Sequence, residues 1–235
     1  MPQTLNEQRI KRLLVRHIKQ QDWRRTDALI PEYFVERASR RADMVVVDRK
    51  LRAYEIKSDV DHLSRLSGQI EVYRRCFESV TVVCTERHLA SVLAQTADTI
   101  GVLCISCNGF TEHRAASAQD LLDLDSWLSH LPIKAIREVL TVRGVPCPRV
   151  GRHEVLSVAR EHLTPGDARV AVFAYLKNEK RKQRTALSQT KRVAQTPDPL
   201  AEHRTMLRDY LHSRGIILSD QIRSSQSAAA SISSE

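Results

Sequence analysis

Apolar residues in the first half of the chain follow two rhythms. Leu5, Ile10, Leu13, Leu14 and Ile18 recur at helical spacing and predict an opening helix over residues 5–18. Met44, Val45, Val46 and Val47 then form a short β-branched run, the polar Asp48–Arg49–Lys50 interrupts it, and Leu51, Ala53, Tyr54 and Ile56 resume it. That pattern predicts a hairpin. Residues 61–77 return to three- and four-residue steps at Leu63, Leu66, Ile70, Tyr73 and Phe77, predicting an amphipathic helix with Asp59 or Asp61 as its cap. Ser79–Cys84 reads as a buried strand, Glu86–Gln95 as a helix and Thr99–Ser106 as another strand. Strand, helix and strand in that order imply a right-handed parallel crossover. With the hairpin, the expectation is an α/β fold in which a mixed central sheet is flanked by helices.

The rhythm changes after residue 107. Residues 108–119 read as a loop, and Leu121, Leu122, Leu124, Trp127 and Leu128 as a docking helix. Leu131–Val142 and Arg152–Leu163 form two further helical stretches around a loop rich in glycine and proline. Thr164–Pro165–Gly166–Asp167 looks like the capped start of another helix, with Val170, Phe173 and Leu176 as its apolar face. The expected organisation is a core over residues 1–110, a helical region over 120–195, a short helix within 196–223 and a disordered Ser/Ala-rich tail over 224–235.

Candidate chemistry sits on the predicted hairpin. A strand alternates its side chains, so Glu55 and Lys57 share a face, and Asp43 at the start of the preceding strand can lie across from them. Two close carboxylates repel each other unless a cation sits between them, and hard oxygen ligands suit Mg²⁺ or Mn²⁺. Lys57, one pleat from Glu55, is placed to orient a water or to neutralise phosphoryl charge. Gln69 and Tyr73 are four apart and share one face of the following helix. Tyr73 reads equally well as core. An E-x-K triplet alone is common and is more often a solvated pair.

Arg41–Ala42–Asp43, Glu55–Ile56–Lys57–Ser58–Asp59 and Arg65–Leu66–Ser67–Gly68–Gln69 together resemble the PD-(D/E)xK superfamily of restriction-endonuclease-like nucleases. The likeness is to a bacterial and phage subfamily and covers roughly residues 5–106. It implies metal ligation by Asp43, Glu55 and the Ile56 carbonyl, with Lys57 as the catalytic lysine. It also implies an upstream acid eleven residues before Asp43, namely Glu32, with Glu36 as the nearby competitor. Gln69 and Tyr73 would stand beside the metal. Apart from the resemblance, Arg65 at the start of that helix reads as a solvated surface residue or as a phosphate contact. Ala42 replaces the superfamily's proline.

Charge sharpens the partner class. A formal net charge of +9 over 235 residues favours a polyanion, although charge alone does not separate DNA from RNA or from an anionic membrane surface. Arg143–Gly144–Val145 and the stretch from Gly151 resemble a degenerate SAP-type DNA-binding module, and a plain helical bundle fits as well. In the first case Arg143, Arg149 and Arg152 would hold phosphates. Lys180, Arg181, Lys182 and Arg184 lie in a basic run over residues 177–192 that reads as a solvated face or as non-specific phosphate contact. The five cysteines do not describe a disulfide framework, and Cys104 and Cys107 read as buried thiols. With no apolar run of membrane-spanning length, the expectation is a cytoplasmic, Mg²⁺-dependent deoxyribonuclease, with a homodimer as one route to cutting both strands. The rival is a nucleic-acid-binding module or adaptor that keeps the fold and does not cut.

Overall fold

The structure is a computed structural model that describes residues 5–35, 40–118, 122–147 and 151–195, with side chains as far as residue 181. Residues as far as 183 cluster into one compact unit. The chain opens with α1 (Glu7–Gln20), capped by Asn6, whose side chain accepts from the Arg9 N–H. Then come β1 (Ala28–Val35), β2 (Arg40–Val47) and β3 (Leu51–Lys57), followed by α2 (Leu66–Cys76), β4 (Ser79–Thr85), α3 (Glu86–Gln95), β5 (Gly101–Ser106) and β6 (Gly109–Arg114). Four helices follow: α4 (Leu124–Ser129), α5 (Ile133–Val142), α6 (Arg152–His162) and α7 (Pro165–Gln195).

The six strands make one sheet in sequence order. β1, β2 and β3 are antiparallel neighbours, β3, β4 and β5 run parallel, and β6 returns antiparallel beside β5. This is the mixed sheet flanked by helices that the pattern predicts. The two faces bury different partners. Ile10, Leu14 and Ile18 of α1 pack on Met44, Val46, Tyr54, Ile56, Val83, Leu103 and Ile105. The other face carries the larger core, in which Tyr73 and Phe77 meet Val45, Val47, Ala53 and Val82 beneath Trp127, Ile136, Val155 and Val172. The helices after residue 122 therefore share one core with the sheet. Arg169 of α7 ties them to it further, donating to Glu78 at 2.8 Å and to the Arg49 carbonyl at 2.7 Å.

Two strands depart from the pattern reading. β1 goes unseen because Pro31 and Glu32 break its alternation, and β6 replaces part of the loop expected at 108–119. The β6 sequence, Gly109–Arg114, is polar because it forms an edge strand with exposed residues. The helix expected from residue 61 starts as a 3₁₀ turn at Leu63–Arg65, and neither Asp59 nor Asp61 caps α2. Asp59 instead accepts from the Leu5 N–H at 3.1 Å, and Asp61 from the Ser58 N–H at 2.8 Å. α5 closes as the loop reading predicts: Gly144, at φ +72°, and Val145 donate back to Thr141 and Leu140, a left-handed turn that favours glycine. Cys104 is buried, whereas Cys107 is exposed, in the turn between β5 and β6. Among the described residues no helix is long and apolar enough to cross a membrane. Glu36, Arg149, the short helix and the tail lie outside the described residues.

Candidate functional site

The site is organised by an irregularity shared by two strands. β1 and β2 pair regularly on either side of Glu32, but Glu32 itself has φ +53°, a left-handed backbone inside a strand. The register would set it opposite Asp43. On β2 the alternation breaks at the same level: Ala42 and Val45 both enter the larger core, while Met44 packs under α1. The consequence is that Glu32 and Asp43 meet the first turns of α1. Strained backbone of this kind costs on the order of 1–3 kcal/mol and survives only where surrounding structure fixes it.

Glu55 and Lys57 follow the ordinary alternation of β3 and turn toward α2. Lys57 Nζ donates to Glu55 Oε1 at 2.9 Å and to Gln69 Oε1 at 3.0 Å. Gln69 Nε2 donates to the same Glu55 oxygen at 2.6 Å. The Tyr73 hydroxyl lies 2.9 Å from Glu55 Oε2 and 2.8 Å from the Arg41 carbonyl, and its single proton serves one of them at a time. Burial, and then the Glu55 charge, raise the Tyr73 pKa. Glu55 and Lys57 are 3% and 6% exposed, so the pair is a buried ion pair, with two of the three ammonium protons placed on Glu55 and Gln69.

Asp43 is partnered from the other direction. Its Oδ2 accepts the Ile56 N–H at 2.7 Å, and its Oδ1 lies 3.7 Å from Lys11 Nζ. Lys11 also pairs with Glu7 and Glu32, and Arg41 Nε approaches Glu32 Oε2 to 2.7 Å without aiming its N–H at that buried oxygen. Burial pushes the Asp43 carboxyl well above the usual carboxylate range, and repulsion from Glu55 adds to it, against the Ile56 N–H and Lys11. Burial works against the charge of Lys11, yet Glu32, Glu7 and Asp43 together outweigh it and raise its pKa.

One carboxylate oxygen from each of Glu7, Glu32 and Asp43 lies within 4.8 Å of the other two, a spacing that suits a metal ion. Three hard oxygen donors, a buried oxygen short of a hydrogen bond, and an ammonium already drawn among them all fit a divalent cation. The set differs from the expected one. Glu32 and Asp43 come together, Glu55 spends its oxygens on Lys57, Gln69 and Tyr73, and Glu7 takes a place that sequence reading missed. Glu7 and Lys11 give no signal of their own, because an acid and a base four apart on a helix look like any solvated pair.

The proposed phosphate contacts fare unevenly. Arg65 is exposed at the start of α2. Arg143 pairs with Asp167, and Arg152 donates to the Leu131 and Leu128 carbonyls at 3.1 and 3.2 Å, tying α6 to α4 and the residues just after it. Arg181 is exposed and donates to Asn178 at 3.1 Å, Lys180 is half-buried, and the side chains of Lys182 and Arg184 lie outside the described residues.

Against this geometry the sequence relationships can be placed. A family model described as bacteriophage P4 protein cII matches residues 1–204. The chain belongs to the bacteriophage P4 protein cII family. Protein cII of Enterobacteria phage P4 is 28% identical over 182 residues, covering 76% of this chain and 69% of that protein. A solved structure, the SPO1766 protein of unknown function from Silicibacter pomeroyi, overlays with a TM-score of 0.40 at 18% identity, covering 58% of this chain and 90% of that one. In this P4 cII family member the matched stretch takes in both clusters, from Glu7 on α1 to Tyr73 on α2.

Proposed function

We propose that the protein is a metal-dependent nuclease that hydrolyses DNA phosphodiester bonds. The observation that carries this reading is the pairing of two clusters at neighbouring strand positions: a buried Lys57–Glu55 pair held by Gln69 and Tyr73, and a trio of carboxylates on Glu7, Glu32 and Asp43. The resemblance of the Asp43, Glu55 and Lys57 segments to the PD-(D/E)xK pattern supports it.

Glu7, Glu32 and Asp43 would hold Mg²⁺ or Mn²⁺, which when bound supplies Lewis-acid polarisation of the phosphate and a more acidic water. Glu55 fixes the Lys57 ammonium by accepting its hydrogen bond, and Gln69 fixes both. A lysine held this way offers its remaining proton to a phosphoryl oxygen that gains charge in the transition state. Tyr73 lies against the second Glu55 oxygen and donates to it when its proton is turned from the Arg41 carbonyl, which restricts rotation of the carboxylate. Asp43, raised to a pKa of about 7 by burial and by repulsion from Glu55, would ligate the cation as the carboxylate, so loading the site releases a proton near neutrality.

The test incubates the full chain with linear, supercoiled, branched and single-stranded DNA, in Mg²⁺ or Mn²⁺ and in chelator, beside Glu55→Gln and Lys57→Ala. Metal-dependent cleavage that falls by about 10²-fold or more in both variants is expected. A second reading, a nucleic-acid-binding module that does not cut, is favoured by one contact: Lys11 already supplies the three carboxylates with a cation. DNA binding with no cleavage of any substrate in either metal would establish that reading instead.

A further inference from the structure

α1 has a second working face. Glu7 and Lys11 turn to the carboxylate cluster, whereas Arg9, Leu13, Arg16 and Gln20, spaced by four, three and four, line a cavity of about 700 Å³. Its far wall is the β5–β6 turn, and its floor is the junction of β4 with α3. The parallel strands β4 and β5 thus end at this cavity, and the crevice beyond the carboxyl ends of parallel strands is where α/β sheets bind ligands.

The cavity has a cationic, hydrogen-bonding end and an aromatic end. Arg9, Arg16 and Arg87 bring three positive charges against Asp59 and Glu86. Asp59 is already engaged by the Leu5 N–H and, through its carbonyl, by Arg87, which donates at 2.8 Å. Thr85 caps α3 only by position. Its side chain makes no capping bond, the residue is 3% exposed, and its Oγ1 has no hydrogen-bond partner. Thr85 lines the cavity at the N-terminus of the ten-residue helix α3, with its unpartnered hydroxyl buried just behind that wall. At the aromatic end Gly109, at φ +108°, turns the chain so that Phe110 packs against His17, with ring centroids 4.8 Å apart.

We infer that this cavity binds a nucleoside phosphate, with the phosphate at Thr85, Arg87, Arg16 and the α3 N-terminus and the base against Phe110 and His17. Its volume falls within the range usual for small-molecule sites. An arginine–phosphate pairing fixes the charged end, and a π face accepts any base. The ligand is either a free nucleotide or one nucleotide of a strand. Binding here does not depend on the carboxylate cluster or on turnover.

The test titrates the full chain with dAMP, with deoxyadenosine, and with a short single-stranded oligodeoxynucleotide carrying or lacking a 5′-phosphate, all in chelator so that no metal contributes. Saturable binding of dAMP or of the phosphorylated strand is expected, with deoxyadenosine and the unphosphorylated strand much weaker. Arg16→Ala and Arg87→Ala each weaken it roughly ten- to hundredfold, the scale of a lost charged hydrogen bond. Two variants guard against misfolding. Thr85→Val leaves the fold intact, because it removes an unpaired hydroxyl, yet weakens binding; Glu86→Gln tightens it by removing a competing anion. Tight dAMP binding identifies a free nucleotide as the ligand, and binding of the strand alone identifies a nucleic-acid end. No saturable binding of either, or binding unmoved by Arg16→Ala, Arg87→Ala and Thr85→Val, overturns the assignment. Failure of DNA cleavage bears only on the carboxylate site, since this assay contains no metal.

Discussion

Lys11 decides what the carboxylate cluster does at rest. It stands among Glu7, Glu32 and Asp43 as an internal cation, so any divalent ion must displace it. Lys11→Met removes that competitor and leaves three carboxylates facing one another. The expected outcome is Mn²⁺ binding tighter by about tenfold or more in calorimetry, since one charge–charge interaction at about 4 Å is worth from about 1 kcal/mol in water to about 4 kcal/mol near a protein surface. A melting temperature that falls in chelator and recovers with Mn²⁺ should accompany it. Unchanged affinity would show that the ammonium does not compete. The buried Glu55–Lys57 pair has a different logic: its Coulomb attraction is offset by desolvation, so its presence is weak support for stability and better support for a positioned lysine. Both halves of that pair were legible from a two-residue strand period, as was Gln69 from its place on the next helix.

At the scale of elements, His130 at the end of α4 joins three parts of the fold. Its Nε2 donates to the Cys76 carbonyl at 2.7 Å, which fixes the neutral tautomer and leaves Nδ1 to accept from the Tyr33 hydroxyl at 3.0 Å. Burial lowers its pKa from the usual 6.5 to about 4, against the Cys76 carbonyl. The unfolded chain takes up a proton near pH 6.5 and the folded chain only near pH 4. Stability is therefore full above the unfolded value and is lost as pH falls between the two, by up to about 3 kcal/mol. Urea unfolding from pH 7 to pH 4 should show that slope, and His130→Gln should flatten it; an equal slope in the variant would assign the acid sensitivity elsewhere. No local pattern announces this tie, because its groups come from β1, α2 and α4. β1 was hidden for a local reason, since Pro31 and left-handed Glu32 disguise a strand that is regular on either side.

For the whole molecule, a net charge of +9 predicts that nucleic-acid binding is dominated by counterion release. If about six phosphates are contacted, affinity should fall roughly 10³-fold between 50 and 200 mM salt, measured by fluorescence anisotropy in chelator. A flat salt response would mean that the basic surface serves packing, as Arg152 and Arg169 already do. The sequence by itself determined the β2–β5 part of the mixed sheet, the helices that flank it, and the face shared by Glu55 and Lys57, because each depends on a period of two or 3.6 residues within one segment. Only the tertiary structure decided which acids keep company with Asp43. That choice required a left-handed residue at Glu32, a break in alternation at Asp43, and α1 laid across both, so that Glu7 arrived from a distance no local pattern spans.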